Sequence, residues 1–180
     1  MNEVYVSVDI ETSGPIVGVH SLLSFGACIC ENMSKTFSRE VIPISEMQDD
    51  DAMHIVGKPL GHFYSTTPPK VAFTDFHDWL KGQSEGSKLV FVGFNAAFDW
   101  AFVNWYFLTF LGSNPFGAAA LDIKSYYGGF AGVAWEETRS SRIPAEFKPI
   151  GEHSHDPLDD AIEQALIFTS IRTAAEKRNG

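Results

Sequence analysis

From Val4 to Ile10 the chain alternates apolar and polar residues, the pattern of a half-buried β-strand with Val4, Val6 and Val8 on one face. The same reasoning predicts strands near residues 24–31 and 36–43, then a loop-rich stretch through Pro69. Phe73, Phe76, Trp79 and Leu80 recur at helical spacing, so residues 71–81 should form a helix with one apolar stripe. A β-branched run at 88–92 predicts another strand. Residues 96–111 are apolar nearly all round, as in a helix buried on every side. A short strand at 118–121 and a helix or turn at 123–127 come next. Asp156 then Pro157 is a helix start, an N-cap acid followed by proline at the first helical position. Leu158, Ala161, Ile162, Ala165 and Phe168 carry the stripe of that last helix, which runs to about Arg172. Residues 128–149, rich in glycine and charge, are expected to form a mobile lid. Three early strands followed by alternating helix and strand predict an α/β fold, a mixed β-sheet flanked by α-helices.

With 180 residues, 44% of them hydrophobic and 20% charged, the chain has the make-up of one folded domain spanning 1–180. Its opening residues lack a secretory pattern. The apolar run ending at Leu111 falls short of the roughly 20 residues a membrane span requires, so no membrane partner is expected. Cys28 and Cys30 lie two apart on one face of a predicted strand, unsuited to a disulfide with each other. Such thiols fit a reducing compartment, and a cytoplasmic protein is expected. Asp49 to Asp51 read as a solvated charge run, and His54 and His62 as loop residues.

Three acidic blocks change the picture from fold to chemistry. Asp9 and Glu11 project together from the end of the first strand, and two carboxylates so placed repel each other unless a cation lies between them. All-oxygen ligands suit a hard ion such as Mg²⁺ or Mn²⁺. In the second block, 93–99, Asn95 suits a helix cap whose side chain accepts an early backbone N–H, and Asp99 falls in the first turns at the positive end of that helix. A buried carboxylate there would need a partner. In the third, His155 precedes the last helix and Asp160 lies in its first turn. A histidine beside metal-binding carboxylates suits a general base, whereas His153 lies further from the acids and Asp159 reads as a first-turn charge.

In chain order, Asp9-x-Glu11, Asn95-x-x-x-Asp99 and His155-x-x-x-x-Asp160 resemble the three motifs of the DnaQ-like, or DEDDh, 3′→5′ exonuclease superfamily of the ribonuclease H-like fold. The resemblance covers nearly the whole chain. The segment 120–125 adds to it, and the run 158–165 is similar to bacterial exoribonuclease-like members. Phe94 departs from the pattern, since many relatives carry histidine just before the motif asparagine. The resemblance implies a two-metal hydrolase with two Mg²⁺ or Mn²⁺ ions. Asp9, Glu11 and Asp160 would hold the first ion; Asp9 would bridge to the second, with Asp99 helping directly or through water. His155 would take the proton of the attacking water, and a nucleoside 5′-monophosphate would leave from a 3′ end. Thr12, Ser13 and Gly14 would lie against the terminal sugar, with Leu22, Leu23, Asn95 and Phe98 near the terminal nucleotide.

The net charge of −10 restricts the substrate. Gripping a long duplex takes many basic groups, so the expected partner is a single-stranded RNA or DNA 3′ end, with RNA slightly favoured by the exoribonuclease-like run. Stacking aromatics and the local cations Arg139, Arg142 and Lys148 would supplement the metals. Monomer and homodimer are both open. Two other functions compete. A phosphatase of the haloacid dehalogenase class would use Asp9 as nucleophile, although that class carries aspartate where Glu11 stands and leaves His155 unexplained. A non-catalytic nucleic-acid-binding module on the same fold would have no need of the full acidic set.

Overall fold

The computed structural model describes residues 2–148 and 156–179. Alternation along β1 (Glu3–Thr12) gives this strand two faces, and helices cover both. β1 pairs antiparallel with β2 (Leu22–Ile29), which pairs antiparallel with β3 (Asn32–Glu40). On its other edge β1 runs parallel to β4 (Lys88–Gly93), and β4 parallel to β5 (Ala120–Asp122). The resulting order, β3-β2-β1-β4-β5, is the mixed sheet expected.

Val6, Val8, Ile10, Phe25 and Phe91 point to one side of the sheet, where α2 (Pro69–Ser84) and α3 (Ala97–Leu111) bring Phe73, Phe76, Phe102, Tyr106 and Phe107. These rings interlock, Phe73 meeting Phe107 edge-on at 4.9 Å and Phe76 stacking on Phe107 at 5.6 Å. On the other side Cys28, Cys30 and Val92 face α4 (Ile123–Ala131) and α5 (Pro157–Asn179), which supply Ile123, Tyr127, Ala165, Phe168 and Ile171. Both thiols are unpaired and buried, and burial pushes Cys28 up to about 12. Among the described residues, no helix is long and apolar enough to cross a membrane.

The charge run at 49–51 is exposed, as expected, and it begins a helix, α1 (Asp50–Val56), in which Asp49 caps the Ala52 N–H at 3.0 Å. Three other expectations need correction. His54 belongs to that helix, and His62 sits in a 3-10 turn with its ring 3.0 Å from the Glu40 carboxylate, so neither is a plain loop residue. The apolar α3 is buried on one side only: Phe98 and Leu108 remain 37% and 49% exposed, because the sheet covers a single face of a peripheral helix. The segment read as a mobile lid is the end of α4 followed by three 3-10 turns, held by buried Thr138, Ile143 and Phe147. Its Pro149 lies outside the described residues.

Candidate active site

Pairing between β1 and β4 ends at Ser7 and Val92, so Asp9 and Glu11 extend past the carboxyl end of β4, where the chain turns into α3. Ligands of open α/β sheets bind outside such strand ends. The third acid arrives on α5. Asp156 caps that helix as predicted, its Oδ1 accepting the N–H groups of Leu158 at 2.9 Å and Asp159 at 3.3 Å. Gly26, the register partner of Asp9, lets the start of α5 lie directly on β2; a Cβ there would come within 2.4 Å of the Leu158 backbone. That close approach brings carboxylate oxygens of Asp9, Glu11 and Asp160 within 4.8 Å of one another, an arrangement that could hold a metal ion. Asp99, from the first turn of α3, is only 6% exposed.

The electrostatics bear the mark of crowded like charges. Burial holds Asp9 well above the usual aspartate range, and Asp99, Asp160 and Glu11 push it further the same way, against a hydrogen bond from Gln164. Burial also lifts Asp99 to about 7, opposed by hydrogen bonding to the backbone at Asp99 and Ile10, while Glu11 adds to the rise. Carboxylates that resist ionisation together are relieved by a cation among them. The donor set is all oxygen, which fits a hard divalent ion.

The residues expected near the terminal nucleotide divide into two groups. Thr12 and Ser13 are turned inward: Thr12 Oγ1 donates to the Gly14 carbonyl at 3.0 Å, and Ser13 Oγ donates to the Met47 carbonyl while accepting the Ser21 N–H, both at 2.8 Å. A Cβ at Gly14 would strike the His20 ring at 2.5 Å, so glycine is needed for this tight turn. Leu22 and Leu23 have no exposed surface with which to meet a base. Leu22 packs in the aromatic core and Leu23 against Leu60 and Phe63, which overturns the expected base contact. Asn95 and Phe98 are exposed and lie just before Asp99 in the sequence. Asn95 does not cap α3 through its side chain; it takes a left-handed conformation, φ 65°.

Asp122 does the work expected of Asn95. One carboxylate oxygen accepts the Ala96 N–H at 2.9 Å, ahead of α3, and the other accepts the Ser125 N–H at 2.7 Å, capping α4. Gln164, one turn beyond Asp160, donates to Asp9 Oδ1. Neither residue was singled out by the acid motifs. Asp122 at a strand end just before a helix was a readable cap signal, whereas Gln164 had none. His155 and His153 lie outside the described residues. Arg139 and Arg142 are exposed and paired with Glu136 and Glu137. Lys148, with Phe94, Ser140 and Gln164, lines a cleft of about 460 Å³ that Asp9 and Asp160 also border.

No family model matches the chain. It is 47% identical over 178 residues to the 3′–5′ DNA exonuclease Cap18 of Escherichia coli, covering 98% of this chain and 95% of that protein. The fold is similar to the nuclease domain of 3′hExo, a DEDDh family member bound to rAMP, with a TM-score of 0.76 at 20% identity over 96% of this chain and 92% of that one. It is also similar to E. coli exonuclease I in complex with a 5cy-dT13 oligonucleotide, with a TM-score of 0.72 at 13% identity over 98% of this chain and 42% of that one. The sheet and its helices thus form the ribonuclease H-like exonuclease fold rather than that of a haloacid dehalogenase-type phosphatase, and the 47% identical relative, an exonuclease, speaks against a non-catalytic module on that fold. The chain belongs to the DEDDh, or DnaQ-like, family of 3′–5′ exonucleases.

Proposed function

We propose that the protein removes nucleotides one at a time from the 3′ end of single-stranded DNA, using two Mg²⁺ or Mn²⁺ ions held by Asp9, Glu11, Asp99 and Asp160. The observation that carries this reading is the meeting of three carboxylates, from two distant parts of the chain, within 4.8 Å. DNA is favoured because the relative at 47% identity is a DNA exonuclease; the leaning toward RNA finds no support in the comparisons.

Bound divalent ions supply a water of lowered pKa and offset charge on the departing 3′ oxygen. Asp9, Glu11 and Asp160 would hold one ion, and Asp9 with Asp99 the other. His155 would accept the proton of the attacking water. The turn at Thr12, Ser13 and Gly14 shapes the floor beside Glu11, and the exposed Asn95 and Phe98 meet the terminal nucleotide. The net charge of −10 argues that few phosphates are gripped outside the metal centre, so a duplex is a poor substrate and each encounter removes few nucleotides.

The test is a time course with Mn²⁺ on matched 5′-labelled DNA and RNA single strands. A ladder of progressively shorter DNA products is expected, with a circular strand untouched. Cleavage of the circle would show endonuclease action and sink the reading; a faster ladder on RNA would overturn the choice of DNA. His155→Ala should lower turnover by about 10²–10⁴-fold while metal binding persists, the usual cost of losing a general base.

A further inference from the structure

Gln164 is buried against Asp9, and its amide is engaged at both ends. Nε2 donates to Asp9 Oδ1 at 2.5 Å, and Oε1 accepts the Phe94 N–H at 2.8 Å. The amide's orientation follows from chemistry. Turned over, it would set its oxygen against the Asp9 carboxylate and its NH₂ against the Phe94 N–H, two repulsive contacts. The bridge therefore ties together α5, β1 and the turn between β4 and α3, the three places that deliver Asp160, Asp9 and Asp99. A neutral donor suits this position. It restrains a carboxylate without adding a positive charge that would compete with a cation, as lysine or arginine would.

We infer that Gln164 is a positioning residue, which holds the Asp9 carboxylate turned so that it shares a cation with Glu11 and Asp160. This rests on the metal site proposed above. Hydrogen-bond partners of metal ligands fix ligand orientation, and losing one typically costs about 10–100-fold in metal affinity or activity. Because the Phe94 contact is made by backbone, the device works with any side chain at position 94 except proline.

The experiment is a calorimetric titration of Mn²⁺ into the metal-free parent, Gln164→Met, Gln164→Asn and Asp160→Asn, with a thermal melt of each. Methionine preserves volume but removes both hydrogen bonds; asparagine keeps the amide but is one methylene too short to span both partners. Both Gln164 variants should bind Mn²⁺ about 10-fold or more weakly than the parent, with the half-activating Mn²⁺ concentration raised by a similar factor. Should Gln164→Met not fold, Gln164→Asn gives the same reading. Variants that melt lower yet bind Mn²⁺ as the parent does would reduce Gln164 to a packing residue and overturn the inference. A parent that binds no Mn²⁺, or an Asp160→Asn variant that binds it normally, would instead remove the metal site, a failure distinct from equal binding by the Gln164 variants.

Discussion

The two faces of the sheet are built from different side chains, and the difference explains where the site lies. The side covered by α2 and α3 is packed with large rings, among them Phe25, Phe73, Phe76, Phe91 and Phe107. Rings hold a helix well away from a sheet. The side covered by α5 uses small residues where helix meets strand: Gly26 under Leu158, and Cys28, whose thiol donates to the Ala161 carbonyl at 3.5 Å. Small residues let backbones approach closely, so side chains as short as Asp160 and Gln164 reach Asp9. The aromatic face stabilises, and the close-packed face positions.

If the division is real, the largest effect on stability should come from the aromatic face and leave the site untouched. Phe76 is fully buried between Phe25, Phe37 and Phe107. Phe76→Ala should cost about 3–5 kcal/mol, the range for large-to-small core changes, as read by urea unfolding. Mn²⁺ affinity of the remaining folded protein should stay at the parent value; a matching loss of affinity would break the comparison.

The acidic end of the sheet, to which α3 contributes Asp99, should instead reveal itself through pH. Asp99 has a folded pKa of about 7, above the roughly 3.9 of an unfolded aspartate. The folded state therefore binds its proton more tightly between those values. The stability this contributes is fully present below about pH 4 and is lost as pH rises through 7. Asp9 is shifted in the same direction. In the metal-free protein, the melting temperature of the parent relative to Asp99→Asn should fall between pH 4 and 7. Mn²⁺ should raise the parent's melting temperature more at pH 8 than at pH 5, because binding favours the ionised site. Equal Mn²⁺ shifts at the two values would contradict the origin assigned to the raised pKa.

What could be read from the sequence follows the same division. The alternation in β1 and the stripe at Phe73, Phe76 and Leu80 are properties of local period, so both faces of the strand and the inner face of α2 were legible. The acids were legible because charge at the end of an apolar strand is conspicuous. Leu22 and Leu23 were misread because adjacent leucines carry no period showing whether they meet core or ligand; here each packs into a different cluster. Gly26 and Gln164 were invisible for another reason. Their roles exist only once α5, more than a hundred residues downstream of β2, has crossed the sheet.

Gly26→Ala tests that crossing directly. Its new methyl group would meet backbone atoms at 2.4 Å, and backbone cannot rotate aside as a side chain can. A cost near 3 kcal/mol is expected, the upper part of the overpacking range, together with weaker Mn²⁺ binding because Asp160 and Gln164 move with α5. An alanine variant that binds Mn²⁺ normally would show that close approach is not what assembles the site.

The smallest effect should come from a polar tie between the aromatic layer and the start of β2. Tyr106 is fully buried on α3, stacked on Phe73 at 5.2 Å, and its hydroxyl accepts the Leu22 N–H at 2.9 Å. Tyr106→Phe keeps the ring and removes the acceptor, leaving a buried N–H without a partner. Such a group costs about 1–3 kcal/mol, and the lower part is expected because the stacking survives. Leu22 pairs with Thr12 across the β1–β2 register, but its own side chain packs into the aromatic core, and Ser13 holds the intervening turn through its own bonds to Met47 and Ser21. The loss should therefore stay within the aromatic layer: a lower unfolding midpoint, with Mn²⁺ affinity and turnover at parent values. If turnover fell along with stability, the hydroxyl would be transmitting order from the packed face to the catalytic end, and the two faces would not be separable.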